Sequence, residues 1–315
     1  MLGNDTKNDH DARERLIVVT GPTAAGKTEL SLKLARAVDA EILNGDAMQS
    51  YQGLQIGTAK PTEAERGGVP HHLFDLWRVD ETASLAHYQR TARAVAQQVW
   101  ARERQVIVVG GSPLYLRALC DELDIPPRDP ALRAELAERA EREGGAALHR
   151  ELVQLDPQAA AEIDPRNVRR VVRALEVVRL TGSFTARIPD PTSWRPTVWL
   201  GVDLPRDVLD ERIRQRAERM WQAGLLSETA DLSASGLRDG ATAKKAVGYQ
   251  QALAVLAGDA SEEEWLVDTV RATSRLARRQ QRTLRRDRRI HWLDGALPPD
   301  QLLAAALPLV TSQRD

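Results

Sequence analysis

Apolar residues along this chain gather in short runs separated by stretches in which apolar and polar positions alternate at helical spacing. Leu16-Ile17-Val18-Val19 and Val106-Ile107-Val108-Val109 contain no polar residue, the pattern of strands covered on both faces. Glu41-Ile42-Leu43-Asn44 predicts a further short strand ending at Gly45-Asp46, and His71 to Asp75, Thr197 to Leu204 and Ile290 to Leu293 predict others. Leu30, Leu32, Leu34, Ala35 and Val38 make one face of a helix, and a second helix is expected over about Ser84 to Arg102. Strands alternating with helices imply an α/β domain built on a parallel sheet flanked by helices.

The pattern changes between about Ile125 and Gly182, which reads as helical, rich in alanine and arginine, with breaks at Gly144-Gly145, Pro157 and Pro165. Because strand-like sequence returns at Thr197, this block is expected to be an all-helical domain inserted in the α/β core. The expected division is a disordered tail over 1–14, a catalytic core over 15–124 and 183–315, and a helical insertion over 125–182. No repeat or low-complexity linker interrupts the chain.

The first apolar run launches Gly21-Pro22-Thr23-Ala24-Ala25-Gly26-Lys27-Thr28, a complete G-x-x-x-x-G-K-[ST] phosphate-binding loop followed by an amphipathic helix. Glycines at 21 and 26 permit backbone conformations that turn successive N–H groups inward, forming an anion-binding nest. Lys27 adds a mobile positive charge, the helix start near Thr28 adds its dipole, and the Thr28 hydroxyl is placed to ligate Mg²⁺. The fold expectation thereby narrows to a P-loop NTPase-like sheet. A glycine-rich turn with no ligand would not need all eight positions with strand before and helix after.

Composition alters this picture in one respect. The 315 residues are 42% hydrophobic and 28% charged, as in an ordinary globular protein, and no apolar run approaches a membrane span. With a polar N-terminus the protein is expected in the cytoplasm. The net charge of −1 argues at first against a nucleic-acid partner. Yet Arg271 to Arg289 holds nine arginines against one acid, Asp287, and Arg166, Arg169, Arg170 and Arg173 cluster in another predicted helix. Either cluster alone reads equally well as a solvated face; the two together suggest a polyanion larger than one nucleotide.

Asp46 follows the second strand, at the edge where ligands of parallel sheets bind, so it can accept a proton from a nucleophile attacking a loop-held substrate. A helix N-cap or a Mg²⁺ ligand are the alternatives at that position. No aspartate ends the Val106 strand, which runs into Gly110-Gly111-Ser112, and there is no Asn-Lys-x-Asp element for guanine. The loop is therefore expected to hold a substrate diphosphate rather than to drive movement. Adjacent His71 and His72 would face opposite ways in a strand, which fits a structural histidine better than two metal ligands. Trp194, Trp199, Trp221, Trp265 and Trp292 have no common spacing and read as packing residues, and the lone Cys120 as a buried apolar residue.

Several separated stretches converge on one family. Gly21 to Thr28, Gly45-Asp46-Ala47-Met48-Gln49, Ile56-Gly57-Thr58-Ala59-Lys60-Pro61, Pro70-His71-His72-Leu73 and Val109-Gly110-Gly111-Ser112-Pro113-Leu114-Tyr115 together resemble the tRNA dimethylallyltransferases. So do Arg173-Ala174-Leu175-Glu176-Val177, Lys244-Lys245-Ala246-Val247-Gly248-Tyr249-Gln250 and the helix from Ala272-Thr273 to Leu284-Arg285. The resemblance spans about residues 15–294, and the lack of a cysteine-bearing C-terminal extension is similar to the bacterial form.

The resemblance implies transfer of a dimethylallyl group from dimethylallyl diphosphate to N6 of adenosine 37 in tRNA, with diphosphate released, by a protein acting as a monomer with Mg²⁺. It implies Asp46, Lys27 and Thr23 as catalytic residues, with Gly21, Pro22, Thr23, Ala24, Ala25, Gly26, Lys27, Thr28 and Arg216 on the diphosphate. Asp46, Ala47, Met48, Gln49 and Ser112 would line the channel for the flipped adenine. Arg133, Arg169, Arg170, Arg173, Lys245, Gly248, Tyr249, Gln250, Arg278, Arg279, Gln280, Arg282 and Arg285 would grip the anticodon stem and loop. The chain departs from the family's usual residues at Ser112, where threonine is usual, at Ser274, where arginine is, and at Thr283, where tryptophan is. Three readings stand beside this one: a prenyltransferase acting on free AMP, ADP or ATP, a P-loop small-molecule kinase, and a non-catalytic RNA-binding protein.

Overall fold

The computed structural model describes residues 14–186 and 189–312; apart from Glu14, the expected N-terminal tail lies outside them. These residues form two compact units, one made of the chain up to Asp121 and again from Ser193, the other of Glu122–Thr192. The first unit opens with β1 (Leu16–Thr20), α1 (Lys27–Ala37), β2 (Ala40–Asn44), α2 (Glu63–Arg66), β3 (His71–His72), α3 (Leu85–Trp100), β4 (Gln105–Gly110) and α4 (Pro113–Cys120). The second unit is α5 (Pro130–Glu143), α6 (Gly145–Leu155), α7 (Pro157–Ala161) and α8 (Val168–Thr181). The chain then returns to the first unit with β5 (Thr197–Asp203), α9 (Arg206–Gln222), α10 (Leu225–Ala234), α11 (Tyr249–Ala257), α12 (Glu262–Leu284), β6 (Ile290–Asp294) and α13 (Pro299–Thr311).

The six strands make one parallel sheet in the order β3-β2-β4-β1-β5-β6. β1 lies between β4 and β5, which is why it is apolar from Leu16 to Val19: helices cover both of its faces, no side chain reaches water, and the buried Thr20 hydroxyl donates to Gly110 O at 2.9 Å. Ile17 and Val19 pack in one cluster with Leu30 and Leu34 of α1, Leu200 and Val202 of β5, and Leu302 and Ala306 of α13. Strand register brings three loops to one edge. Thr20 pairs with Gly110 and Asn44 with Val109, so the chain leaves β1, β2 and β4 side by side. Gly45 N–H donates to Val109 O at 2.7 Å. A Cβ at Gly110 would stand 2.3 Å from Gly45 O, so glycine is needed for that approach.

The helical unit runs ten residues further toward β5 than the 125–182 expected, ending at Thr192. Its apolar centre joins Leu136, Leu148, Leu152, Val171, Leu175 and Val178. The sequence breaks fall between helices: Gly144 takes φ 83°, and Pro157 follows the Asp156 cap of α7. One expectation needs correction. Arg166 precedes α8, whose cap is Asn167, and its guanidinium folds back on Asp164 at 2.7 Å instead of extending the helical arginine face. Among the described residues no helix is long and apolar enough to cross a membrane.

Candidate active site

The phosphate loop is shaped by its neighbours before any ligand arrives. Gly21 takes φ 140°, and a Cβ there would meet Val202 O at 2.3 Å, so the loop leaves β1 pressed against β5. Ala24 (φ 66°) and Gly26 (φ 96°) are left-handed, as an inward-turned nest requires. Lys27 opens α1, and its Nζ donates to Pro22 O at 2.7 Å across the mouth of the loop.

Thr23 is held from two sides. Its N–H donates to Gln280 Oε1 of α12 at 2.9 Å. Its hydroxyl accepts from Arg216 Nη1 of α9 at 3.1 Å, while Arg216 Nη2 donates to Thr58 O at 3.1 Å. These groups border a cavity of about 650 Å³ whose wall includes Lys27, Asp46, Gln49, Arg212, Arg216 and Gln280. Burial pushes the Lys27 ammonium down to about 8; the Asp46 carboxylate pulls it up and the Arg216 guanidinium pushes it further down. Burial likewise lowers Arg216, and Asp46 opposes that shift.

Asp46 faces the same cavity from the next loop. Asn44 organises that loop: its Oδ1 accepts Asp46 N–H at 2.9 Å, and its Nδ2 donates to Asp46 O, Ser50 Oγ and Leu73 O. Asp46 Oδ1 accepts Met48 N–H at 2.9 Å in a tight turn, so no helix is capped here; Oδ2 makes no hydrogen bond among the described residues. Ser112 does not line the cavity. Its Oγ accepts Ala47 N–H at 3.3 Å and so props the Asp46 loop from behind. Gln49 Nε2 donates to Thr58 O and Ala59 O, closing the cavity's far side.

The residues expected on RNA divide into exposed and buried sets. Lys245, Gln250, Arg278, Arg279, Arg282 and Arg285 are exposed, the last also paired with Asp203. Tyr249 is fully buried: its hydroxyl donates to Glu228 and accepts Gly57 N–H at 3.1 Å, so it anchors the loop that carries Thr58. Gly248 is buried too, its carbonyl accepting from Trp265 Nε1 at 3.0 Å. Gln280 sits in the cavity wall rather than on the outer face of its helix. In the helical unit, Arg169 is exposed, Arg170 donates to Ala186 O, and Arg133 and Arg173 converge on buried Glu176. Burial would raise the Glu176 carboxyl, but Arg173, Arg133 and the Asp129 N–H hold it below the usual carboxylate range.

Arg212, which stands four residues before Arg216 in the family-like Arg212-Ile213-x-x-Arg216 stretch, joins the site although it is not among the expected diphosphate residues. Its guanidinium lies 3.7 Å from where a Gly26 Cβ would be, at the cavity wall. Among the described residues no group of three histidines, cysteines or carboxylates could hold a metal ion. A bound Mg²⁺ would thus rest on the exposed Thr28 hydroxyl and on substrate phosphate oxygens, a donor set that fits an ion which keeps several of its waters. His72 Nε2 pairs with Glu41 at 2.6 Å and His71 Nδ1 with Val69 O at 2.8 Å, both structural.

The family profile described as IPP transferase matches residues 49–287. A tRNA dimethylallyltransferase of Thermobifida fusca is 52% identical over 306 residues, covering 95% of each chain. One of Streptomyces avermitilis is 53% identical over 283 residues, covering 90% of this chain and 91% of its own. Among solved structures, the full-length tRNA isopentenylpyrophosphate transferase of Bacillus halodurans superposes with TM-score 0.71 at 36% identity, covering 94% of this chain and 95% of that one. A eukaryotic dimethylallyltransferase crystallised acting on tRNA shares the fold, with TM-score 0.79 at 23% identity, over 94% of this chain and 79% of its own. With that profile covering most of its length and relatives this similar end to end, the chain belongs to the IPP transferase family, that of the tRNA dimethylallyltransferases.

Proposed function

We propose that the protein transfers a dimethylallyl group from dimethylallyl diphosphate to N6 of adenosine 37 in tRNA, releasing diphosphate. The observation that carries this reading is the meeting, at one cavity, of a cationic phosphate cradle and the Asp46 carboxylate, whose Oδ2 makes no hydrogen bond among the described residues. Lys27, Arg216 and the loop N–H groups bind the diphosphate and stabilise the charge that grows on it as the C–O bond breaks. Asp46 Oδ2 takes the proton from the attacking amine as the C–N bond forms. Mg²⁺ on Thr28, when bound, would further neutralise the leaving diphosphate.

An adenine within a stacked loop must be flipped outward to reach this cavity. The exposed arginines of α12 and the helical unit's Arg169 and Arg170 are suited to phosphates of the anticodon stem, through contacts whose affinity falls with salt. The protein would act in the cytoplasm, as a monomer. β4 ends at Gly110 and runs into Gly111-Ser112 with no carboxylate, which disfavours a kinase.

The test is one incubation of purified protein with Mg²⁺ and labelled dimethylallyl diphosphate, offered unmodified tRNA, AMP or no acceptor. Label in tRNA alone is the expected result. Label in AMP would move the reading to a free-nucleotide prenyltransferase, and tight RNA binding with no diphosphate binding would leave a non-catalytic protein.

A further inference from the structure

We infer that Gln280 is a positioning residue for the diphosphate cradle, set there by the helix that carries the exposed arginines; this rests on the function proposed above. Gln280 is only 7% exposed, although the residues flanking it, Arg278, Arg279 and Arg282, are exposed. Its Oε1 accepts the Thr23 N–H at 2.9 Å. Its Nε2 lies so close to Gly111 that a Cβ there would stand 2.7 Å away. The carboxamide is thereby wedged between the loops that follow β1 and β4.

Thr23 is the point at which this matters. Its N–H is one of the loop's donors, and spending it on Gln280 fixes the plane of the peptide between Pro22 and Thr23. With that peptide fixed, Thr23 Oγ1 is aimed at Arg216 Nη1. The Ala25 N–H closes back on Pro22 O at 3.3 Å, so the turn is held on both sides of Thr23. α12 is in turn tied to the end of β5, where Gln281 Nε2 donates to Asp203 Oδ1 at 2.7 Å and Arg285 pairs with Asp203 Oδ2. The helix is thus anchored at the same sheet edge it supports. A short or apolar side chain at 280 would take the partner from Thr23 N–H at this half-buried position and let the cradle relax.

The test uses the full chain and reads donor and RNA separately. Gln280→Ala and Gln280→Met are compared with wild type and with Lys27→Ala; methionine keeps length and volume if alanine impairs folding, which a thermal melt reports. Inorganic pyrophosphate affinity without RNA should fall about tenfold in both Gln280 variants, the worth of one hydrogen bond. KM for dimethylallyl diphosphate should rise in step, while tRNA affinity stays within about twofold of wild type. Lost tRNA affinity with unchanged pyrophosphate affinity would place Gln280 on RNA and overturn the inference, as would no change in either. If wild type itself bound no pyrophosphate, or Lys27→Ala bound it equally well, the function proposed above would fall together with this inference.

Discussion

Arg216 donates to the Thr23 hydroxyl at 3.1 Å, joining a helix to a loop 193 positions earlier in the chain. The contact sets a second cation, beside Lys27, at the phosphate loop. The same guanidinium holds Thr58 O, so the loop over residues 56–59, the phosphate loop and α9 meet at one side chain. Arg216→Lys keeps charge but loses the two-pronged geometry. We expect KM for dimethylallyl diphosphate to rise by about 10- to 100-fold, with the KM for tRNA unmoved. Steady-state kinetics with each substrate varied in turn would show it.

Asp46 is expected to matter to turnover more than to binding. Asp46→Ala should cut kcat by about 10² to 10⁴, the usual range for removal of a general base, while tRNA affinity is nearly kept. A parallel loss of tRNA affinity in a filter-binding assay would mean that the carboxylate chiefly holds the base.

Lys27 predicts a pH dependence. Its value near 8 means that the ammonium needed by the diphosphate is present below that pH and is lost from the free enzyme above it. The kcat/KM for dimethylallyl diphosphate should therefore decline as pH rises through about 8. Stability runs the other way. Between about 8 and the usual 10.5 the unfolded chain holds the proton and the folded chain does not, so this residue's contribution rises with pH over that window. Lys27→Met should abolish both effects, as read by kinetics and by urea melts of the ligand-free protein.

In the helical unit, Glu176→Ala should cost about 3 kcal/mol or more, because Arg133 and Arg173 lose the buried carboxylate on which they converge. The pH sign follows from its lowered pKa. The stabilisation is complete above the usual carboxylate range and fades as acid protonates Glu176. Denaturation of the full chain at neutral and acid pH measures both, and the difference between wild type and variant should shrink at the acid end.

Gly57→Ala tests the Tyr249 anchor. A Cβ there would stand 2.4 Å from Tyr249 Cε2, so the ring or the loop must shift, at a cost of about 1–3 kcal/mol. Because Thr58 O receives Arg216, weaker donor binding should accompany the lost stability. Tyr249→Phe should be milder, about 1–2 kcal/mol, since it removes only the hydroxyl's bonds to Glu228 and Gly57. Calorimetry and pyrophosphate binding on the two variants would rank them.

What the sequence determined by itself was everything that rests on local pattern. Unbroken apolar runs at Leu16 to Val19 and Val106 to Val109 required strands buried on both faces, and eight consecutive residues required an anion nest. Asp46 could be placed at a ligand-bearing edge because a strand end was visible before it. The burial of particular side chains was a different matter. Tyr249 and Gln280 lie in family-like stretches among exposed basic residues, and their own neighbours in sequence gave no sign that Tyr249 would close on Glu228 or that Gln280 would turn inward to Thr23. Arg173 reads in the sequence as part of a basic face and Arg133 as an RNA contact implied by the resemblance, but the packing of α5 against α8 turns both onto Glu176. Hydrophobic periodicity records which face of an element is covered, since burial acts on every residue of that face. A hydrogen bond or ion pair between two particular side chains leaves no such periodic trace, and only the folded chain decides where that bond is made.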